Sequence, residues 1–367
     1  MKILILQDHL RSGGTERQSV LLANAFAAAG HTTTLLTFRP GGPLASTISP
    51  AVTHRALQPF DLGLDWFAPG LFLFTARPRP DIILCMGRMA NGYAAGLQQQ
   101  HPRTAVVATM RTGKPLSWLF RRGLRLSRHI VANSRDARDH LVAQHAIDAE
   151  KISVIYNSLV FPSAPQTGDA APPPRQTLRT SHGASAKTTV LLSVAMFRPE
   201  KNQRELVEIV AGLPAQLDWQ LWFAGDGPAR AACERLVAEK KLASRVRFLG
   251  FHRDPSPLYR AADLAVHTSS SESLSNFLIE AQSHGLLAVA YEAQGITECF
   301  VPGRTGWAIP HGDRTAFRAT LSRRISEPAL AHAERAADAR AFARTTFDPA
   351  RQVAAYLELF VRLTARP

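Results

Sequence analysis

A chain of 367 residues, 46% hydrophobic and 20% charged, has a globular composition and is long enough for two cores rather than one. Cys85, Cys233 and Cys299 lie far apart and in no Cys-x-x-Cys, which excludes a disulfide framework and a zinc site and points to a reducing compartment. The excess of 43 Lys plus Arg over 29 Asp plus Glu, a net +14, suits an anionic membrane or nucleic acid as partner, or a basic proteome with no special partner.

The chain opens on a short β-run, Ile3-Leu4-Ile5-Leu6, too short for the core of a signal peptide. No run approaches the roughly 18–20 apolar residues of a spanning helix. A turn with paired glycines, Gly13 and Gly14, leads into a helical pattern that ends at Gly30 and His31, and a β-branched run follows. This is a βαβ opening without Gly-x-Gly-x-x-Gly or Gly-Lys-Ser/Thr. Residues 40–80 read poorly: a Pro-Gly-Gly-Pro turn, then an aromatic stretch with Trp66 and Leu71-Phe72-Leu73-Phe74, expected as a loop plus an amphipathic helix.

Buried β-runs recur at 82–85, 104–109 and 129–132, each followed by a helical pattern, and a further strand is expected at 152–156. No acidic residue occurs between Asp81 and Asp136, an interval that holds Arg111, Lys114, Arg121, Arg122, Arg125 and Arg128. Bulky apolar and basic residues alternate around Trp118 and Phe120, the profile of a segment lying on an anionic bilayer, and equally of an ordinary surface helix. No nucleic-acid-binding module matches, so nucleic acid is not expected as a partner.

Residues 161–187 are rich in Pro, Ser, Thr, Gly and Ala and read as a linker, with a short helix near 176–181. The strand–loop–helix rhythm then restarts. Exit loops follow at Met196-Phe197-Arg198-Pro199-Glu200-Lys201, at Gly225-Asp226-Gly227-Pro228 and at Phe251-His252. Another strand and turn hold Gly295 to Glu298, residues 303–309 suggest a hairpin, and a last helix carries Tyr356 and Phe360. Ligands of parallel α/β sheets bind at the carboxyl ends of strands. The spacing therefore predicts an α/β protein of two doubly wound, Rossmann-like domains with a site in the cleft between them. The expected boundaries are 1–160, a linker at 161–187, a second domain at 188–345, and a helix at 346–367 that packs back towards the first domain.

The most informative stretch is Ser271-Glu272-Ser273-Leu274-Ser275-Asn276-Phe277-Leu278-Ile279-Glu280, which follows a buried strand ending at His267. Ser275, Asn276 and Phe277 should open a helix whose free backbone amides suit a phosphate. Glu272 before it and Glu280 one turn inside it suit hydroxyl groups. Hydroxyls on both sides of a diphosphate describe a nucleotide sugar.

This stretch resembles the Glu-x7-Glu motif of the family 4 retaining glycosyltransferases, which have the GT-B fold. The likeness continues through Pro199-Glu200-Lys201-Asn202, Phe223-Ala224-Gly225-Asp226-Gly227 and Phe248-Leu249-Gly250. It implies that Glu272 contacts the donor sugar and Glu280 the ribose, while the amides of Ser275, Asn276 and Phe277 and the Lys201 ammonium hold the diphosphate. Backbone near His252 would meet the base, Gly225 would approach the donor, and Glu298 would line the cleft. Gly13, Gly14, Glu16 and Arg17 match a family segment that faces the donor phosphates from the first domain. Two positions depart from the pattern: Met196 stands where an Arg is usual, with Arg198 nearby, and Arg111 stands where many members have His, leaving His9 as a second candidate.

The resemblance implies a UDP- or GDP-sugar donor and a glycan or lipid-linked acceptor in envelope polysaccharide or lipopolysaccharide synthesis. The basic, Trp-containing 111–128 segment suggests that such an acceptor is met at the inner membrane face, with the protein cytoplasmic. No metal or other cofactor is expected, because no Asp-x-Asp follows a strand and cationic side chains serve the phosphates. The competing expectation is a catalytically silent relative that binds a ligand or scaffolds an assembly.

Overall fold

The computed structural model describes residues 1–77, 79–159 and 174–365. The chain divides into two compact units, residues 1–160 with 348–367, and residues 161–347. Most of the expected linker lies outside the described residues.

The first unit runs β1 (Lys2–Gln7), α1 (Gly14–Ala28), β2 (Thr32–Thr37), β3 (Thr53–Ala56), α2 (Leu71–Ala76), β4 (Ile82–Cys85), α3 (Arg88–Gln100), β5 (Ala105–Met110), α4 (Trp118–Leu126), β6 (His129–Ala132), α5 (Arg135–His145) and β7 (Ile152–Val154). Its seven strands are all parallel, in the order β3-β2-β1-β4-β5-β6-β7. The central strands are apolar on both faces because helices cover both. Leu4, Leu6, Ile83 and Val106 point into one core, and Ile3, Ile5, Leu84 and Val107 into the other.

The second unit runs α6 (Arg175–Ser181), β8 (Thr189–Val194), α7 (Gln203–Ala211), β9 (Trp219–Ala224), α8 (Arg230–Glu239), β10 (Val246–Gly250), α9 (Ser256–Ala261), β11 (Leu264–His267), α10 (Asn276–Ser283), β12 (Leu287–Tyr291), β13 (Gly306–Ile309), α11 (Arg314–Ile325) and α12 (Ala329–Thr346). Its six parallel strands follow the order β10-β9-β8-β11-β12-β13. Buried Arg179 ties α6 to this unit: it donates to the Ala261 carbonyl at 2.8 Å and pairs with Asp263 at 3.0 Å.

The last helix, α13 (Pro349–Thr364), belongs to the first unit. Tyr356 and Phe360 pack edge-on against Phe26 of α1, with ring centroids 6.1 and 5.5 Å apart. Gln352 donates to Gln18 of α1 and to the Tyr156 carbonyl, both at 2.8 Å.

One sequence expectation is corrected. Residues 303–309 form no hairpin; β13 pairs parallel to β12, Ala288 opposite Gly306 and Tyr291 opposite Ile309. Two glycines in a short polar run look like a tight turn, yet Gly306 is there because the Phe300 ring occupies the place of a Cβ. Strand β3 was not legible at all: Thr-His-Arg-Ala on a sheet edge buries little and carries no apolar alternation.

Candidate active site

In each unit, the strand order reverses once, between β1 and β4 and between β8 and β11. Loops leaving the carboxyl ends of strands at such a point diverge and open a crevice. In the second unit the loops leaving β8 and β11 carry the candidate chemistry, and they are laced together. Thr268 Oγ1 donates to the Asn202 carbonyl at 2.9 Å, and the Ser270 amide and Ser269 Oγ donate to the Glu200 carbonyl at 2.9 and 3.0 Å.

This lacing brings Lys201 to Glu272. The Lys201 Nζ lies 2.5 Å from Glu272 Oε1, and His267 Nε2 lies 2.8 Å from the same oxygen. Burial on its own would push the Glu272 carboxyl up; the Lys201 ammonium and the His267 hydrogen bond outweigh it and hold the group down at about 2. Glu272 is therefore ionised and can only accept, so His267 carries its proton on Nε2.

Helix α10 starts where the sequence places it. Ser275 is its N-cap, accepting from the Leu278 amide at 3.4 Å, and Asn276 is its first residue. Glu280, one turn in, accepts from Tyr259 Oη at 2.8 Å. The buried Phe277 ring stands between the two carboxylate supports, 5.6 Å from the His267 ring and 6.2 Å from that of Tyr259. Lys201, His267, Glu272, Phe277, Tyr259 and Glu280 thus form one continuous chain of contacts.

Neighbouring loops close on this cluster through backbone. Gly225 has φ +140°, and a Cβ there would collide with the Ala195 carbonyl; its amide donates to the Gly250 carbonyl at 2.7 Å. Gly295, with φ +71°, lies against the Ser273 carbonyl just after Glu272. Half-buried Glu298 sits in the one-turn helix Thr297–Cys299, whose Cys299 thiol faces the Gly295 carbonyl at 3.3 Å. Arg198 and Met196 are exposed on the β8 exit, and His252 is half-buried on the β10 exit.

The remaining sequence candidates belong to the first unit. Gly13 caps α1, and a Cβ on it would meet the Glu16 carboxylate, which folds back over the turn; Gly14 and Arg17 lie in the first turn of that helix. Arg111, one residue past β5, is held within its own unit: its guanidinium donates to Asn157 Oδ1 and, at 2.7 Å, to Tyr356 Oη. His9 is nine-tenths buried and its Nε2 contacts the Pro40 carbonyl at 3.2 Å. Beside it, Asp8 accepts from the Met89 and Ala90 amides at the start of α3, at 3.0 and 2.8 Å. Burial outweighs these bonds and pushes the Asp8 carboxyl up to about 6.

His267 and Tyr259 escaped the sequence reading. The signal available for His267 was a lone polar residue ending an otherwise apolar strand, five positions before a carboxylate. Tyr259 gave none, because its helix is only six residues long and its partner is 21 positions away.

Two family models match the chain nearly end to end, Glycosyltransferase Family 4 over residues 12–159 and Glycosyl transferases group 1 over residues 174–344. The chain is thus family 4-like across both units. Among curated relatives, a lipopolysaccharide core biosynthesis glycosyltransferase, LpsE, of Rhizobium meliloti is 30% identical over 145 residues, 40% of this chain and 42% of that protein. The alpha-D-kanosaminyltransferase of Streptomyces kanamyceticus is 27% identical over 236 residues, 63% of this chain and 59% of that one. The chain thus spans about half the length of the curated relatives it matches. HepE from Anabaena, solved in complex with UDP and glucose, superimposes with a TM-score of 0.80 at 22% identity, covering 99% of this chain and 100% of that one. That likeness makes the fold GT-B.

Proposed function

We propose that the protein transfers a sugar, with retention, from a UDP- or GDP-sugar to a glycan or lipid-linked acceptor of envelope polysaccharide or lipopolysaccharide synthesis. The observation that carries this is the Lys201–Glu272 pair at the start of α10, with Glu280 one turn further on. A diphosphate at the α10 amides would draw the Lys201 ammonium, and Glu272, released from it, would turn to sugar hydroxyls. Glu280, braced by Tyr259, would take the ribose hydroxyls. UDP bound to HepE and the lipopolysaccharide role in the name of LpsE support the donor and acceptor classes.

The bond between the anomeric carbon and the diphosphate oxygen breaks, and a bond to the acceptor oxygen forms on the same face. The acceptor proton passes to the departing phosphate, so no side chain need act as nucleophile. Negative charge gathers on the diphosphate, where Lys201 and the α10 amides are aimed, and positive charge on the sugar ring, near Glu272. Arg111, Gly13, Gly14, Arg17, Arg198, His252 and Glu298 are assigned to the site by resemblance alone. The 111–128 segment is proposed to meet an anionic membrane at its cytoplasmic face.

A silent, ligand-binding relative is the second reading, favoured by Met196 at the usual Arg position. Donor hydrolysis and transfer separate the two. We expect Glu272→Ala to slow nucleotide release about 10²–10³-fold, the usual cost of one transition-state contact. Equal release by wild type and variant would favour the silent relative.

A further inference from the structure

Two groups hold Glu272, and they are mounted in different ways. Lys201 closes the one-turn helix Pro199–Lys201, and its side chain is 26% exposed. A flexible stem lets its ammonium turn to another anion from that position. His267 is the last residue of β11, in register with Ala290 of β12, and its side chain is only 3% exposed. The Phe277 ring of α10 packs beside the imidazole, with ring centroids 5.6 Å apart. One support can leave, and the other is fixed in the core of the unit. Both fall on Oε1, Lys201 Nζ at 2.5 Å and His267 Nε2 at 2.8 Å, which leaves Oε2 to accept from a hydroxyl.

This difference matters once a diphosphate draws Lys201 away. The Glu272 side chain is 10% exposed, and removing one partner of a buried ion pair leaves the other charge uncompensated. Burial then favours the protonated carboxyl, which carries no charge to set against a positive sugar ring. The groups that act most on the Glu272 charge are Lys201 from the β8 exit and His267 from β11. Helix α10 turns the apolar Phe277 ring towards His267, and the carboxylate of that helix, Glu280, is engaged by Tyr259. Of the two supports, His267 alone stays in place when Lys201 moves.

We propose that His267 is a positioning residue for transfer: from its fixed place on β11 it keeps the Glu272 carboxylate charged and aimed at the donor sugar while Lys201 serves the diphosphate. This rests on the donor reading above and adds the group that makes the exchange of Lys201 possible.

The first measurement needs no donor. Lys201→Met puts an uncharged chain of similar reach at 201 and so reproduces the departure of the ammonium. Isotope-labelled glutamate carboxyls report protonation by NMR, and the Glu272 signal is the one lost in Glu272→Gln. In Lys201→Met, Glu272 is expected to titrate about one to two pH units lower than in the same background with His267→Leu. His267→Phe, which keeps a ring beside Phe277 and cannot donate, should match His267→Leu, so the comparison survives if one of the two fails to fold. His267→Gln should restore the lower midpoint, because its amide can donate where Nε2 does. In turnover, the acidic limb of the kcat profile should move up by a similar interval in His267→Leu and return in His267→Gln. A Glu272 midpoint that ignores His267→Leu and His267→Phe would overturn the proposal, and so would a loss of rate that is uniform across pH and not rescued by glutamine. Because the NMR comparison involves no donor, an inactive wild type would count against the transfer reading alone.

Discussion

Glu272 accepts at one carboxylate oxygen from two nitrogens, of Lys201 on the β8 exit loop and of His267 at the end of β11. That arrangement was half legible. The carboxylate could be named from its place between a strand end and the α10 start, and the lysine from the family resemblance of Pro199-Glu200-Lys201-Asn202. Their direct contact could not, because it depends on β8 and β11 being sheet neighbours across 71 residues. Asp8 was also invisible as a titrating group, since nothing in Gln7-Asp8-His9 tells that two amides of α3 will close over it. Its pKa is raised in the folded protein, from 3.8 to about 6. The folded state thus favours the protonated form. The associated stability is fully present below about 3.8 and is lost as pH rises through 6, roughly 3 kcal/mol in all. Asp8→Asn removes this titration. Between pH 4.5 and 7.5 the melting temperature of wild type is expected to fall relative to that of Asp8→Asn, and parallel curves would show that Asp8 is not the buried acid described.

At the scale of elements, fully buried parallel strands were readable as short apolar runs, because both faces are covered and no alternation is needed. Edge elements were not: β3 is polar, and β13 shows its neighbour only through register. Helix α2 reads as ordinary apolar helix, and only the fold leaves Leu73 in water. The loops carry a sharper constraint than the sequence suggests. Gly225 combines φ +140° with a carbonyl where a Cβ would stand, whereas Gly303 has φ +72° and open space around it. Gly303→Ala should cost about 1–2 kcal/mol from left-handed backbone alone. Gly225→Ala must add a shift of the β8 exit loop, for a cost of about 3 kcal/mol or more, together with weaker nucleotide binding. Comparing the two thermal transitions checks this; equal losses would mean that the β8 and β9 loops are not held together at Gly225.

For the molecule as a whole, two parallel sheets of similar winding account for the repeated rhythm of strands and loops, and α13 returns to the first unit because Tyr356 and Phe360 complete the core over Phe26. In the second unit, Lys201, Glu280 and the α10 amides are proposed to hold one nucleoside diphosphate. Calorimetric titration of UDP and of GDP into wild type, Lys201→Ala and Glu280→Ala tests it most directly. Hydrogen bonds to charged groups are worth about 1.5–3 kcal/mol, so each variant should bind the preferred nucleotide roughly 10- to 100-fold more weakly than wild type. Wild-type affinity in both variants, or no binding of either nucleotide by the wild-type protein, would contradict the account.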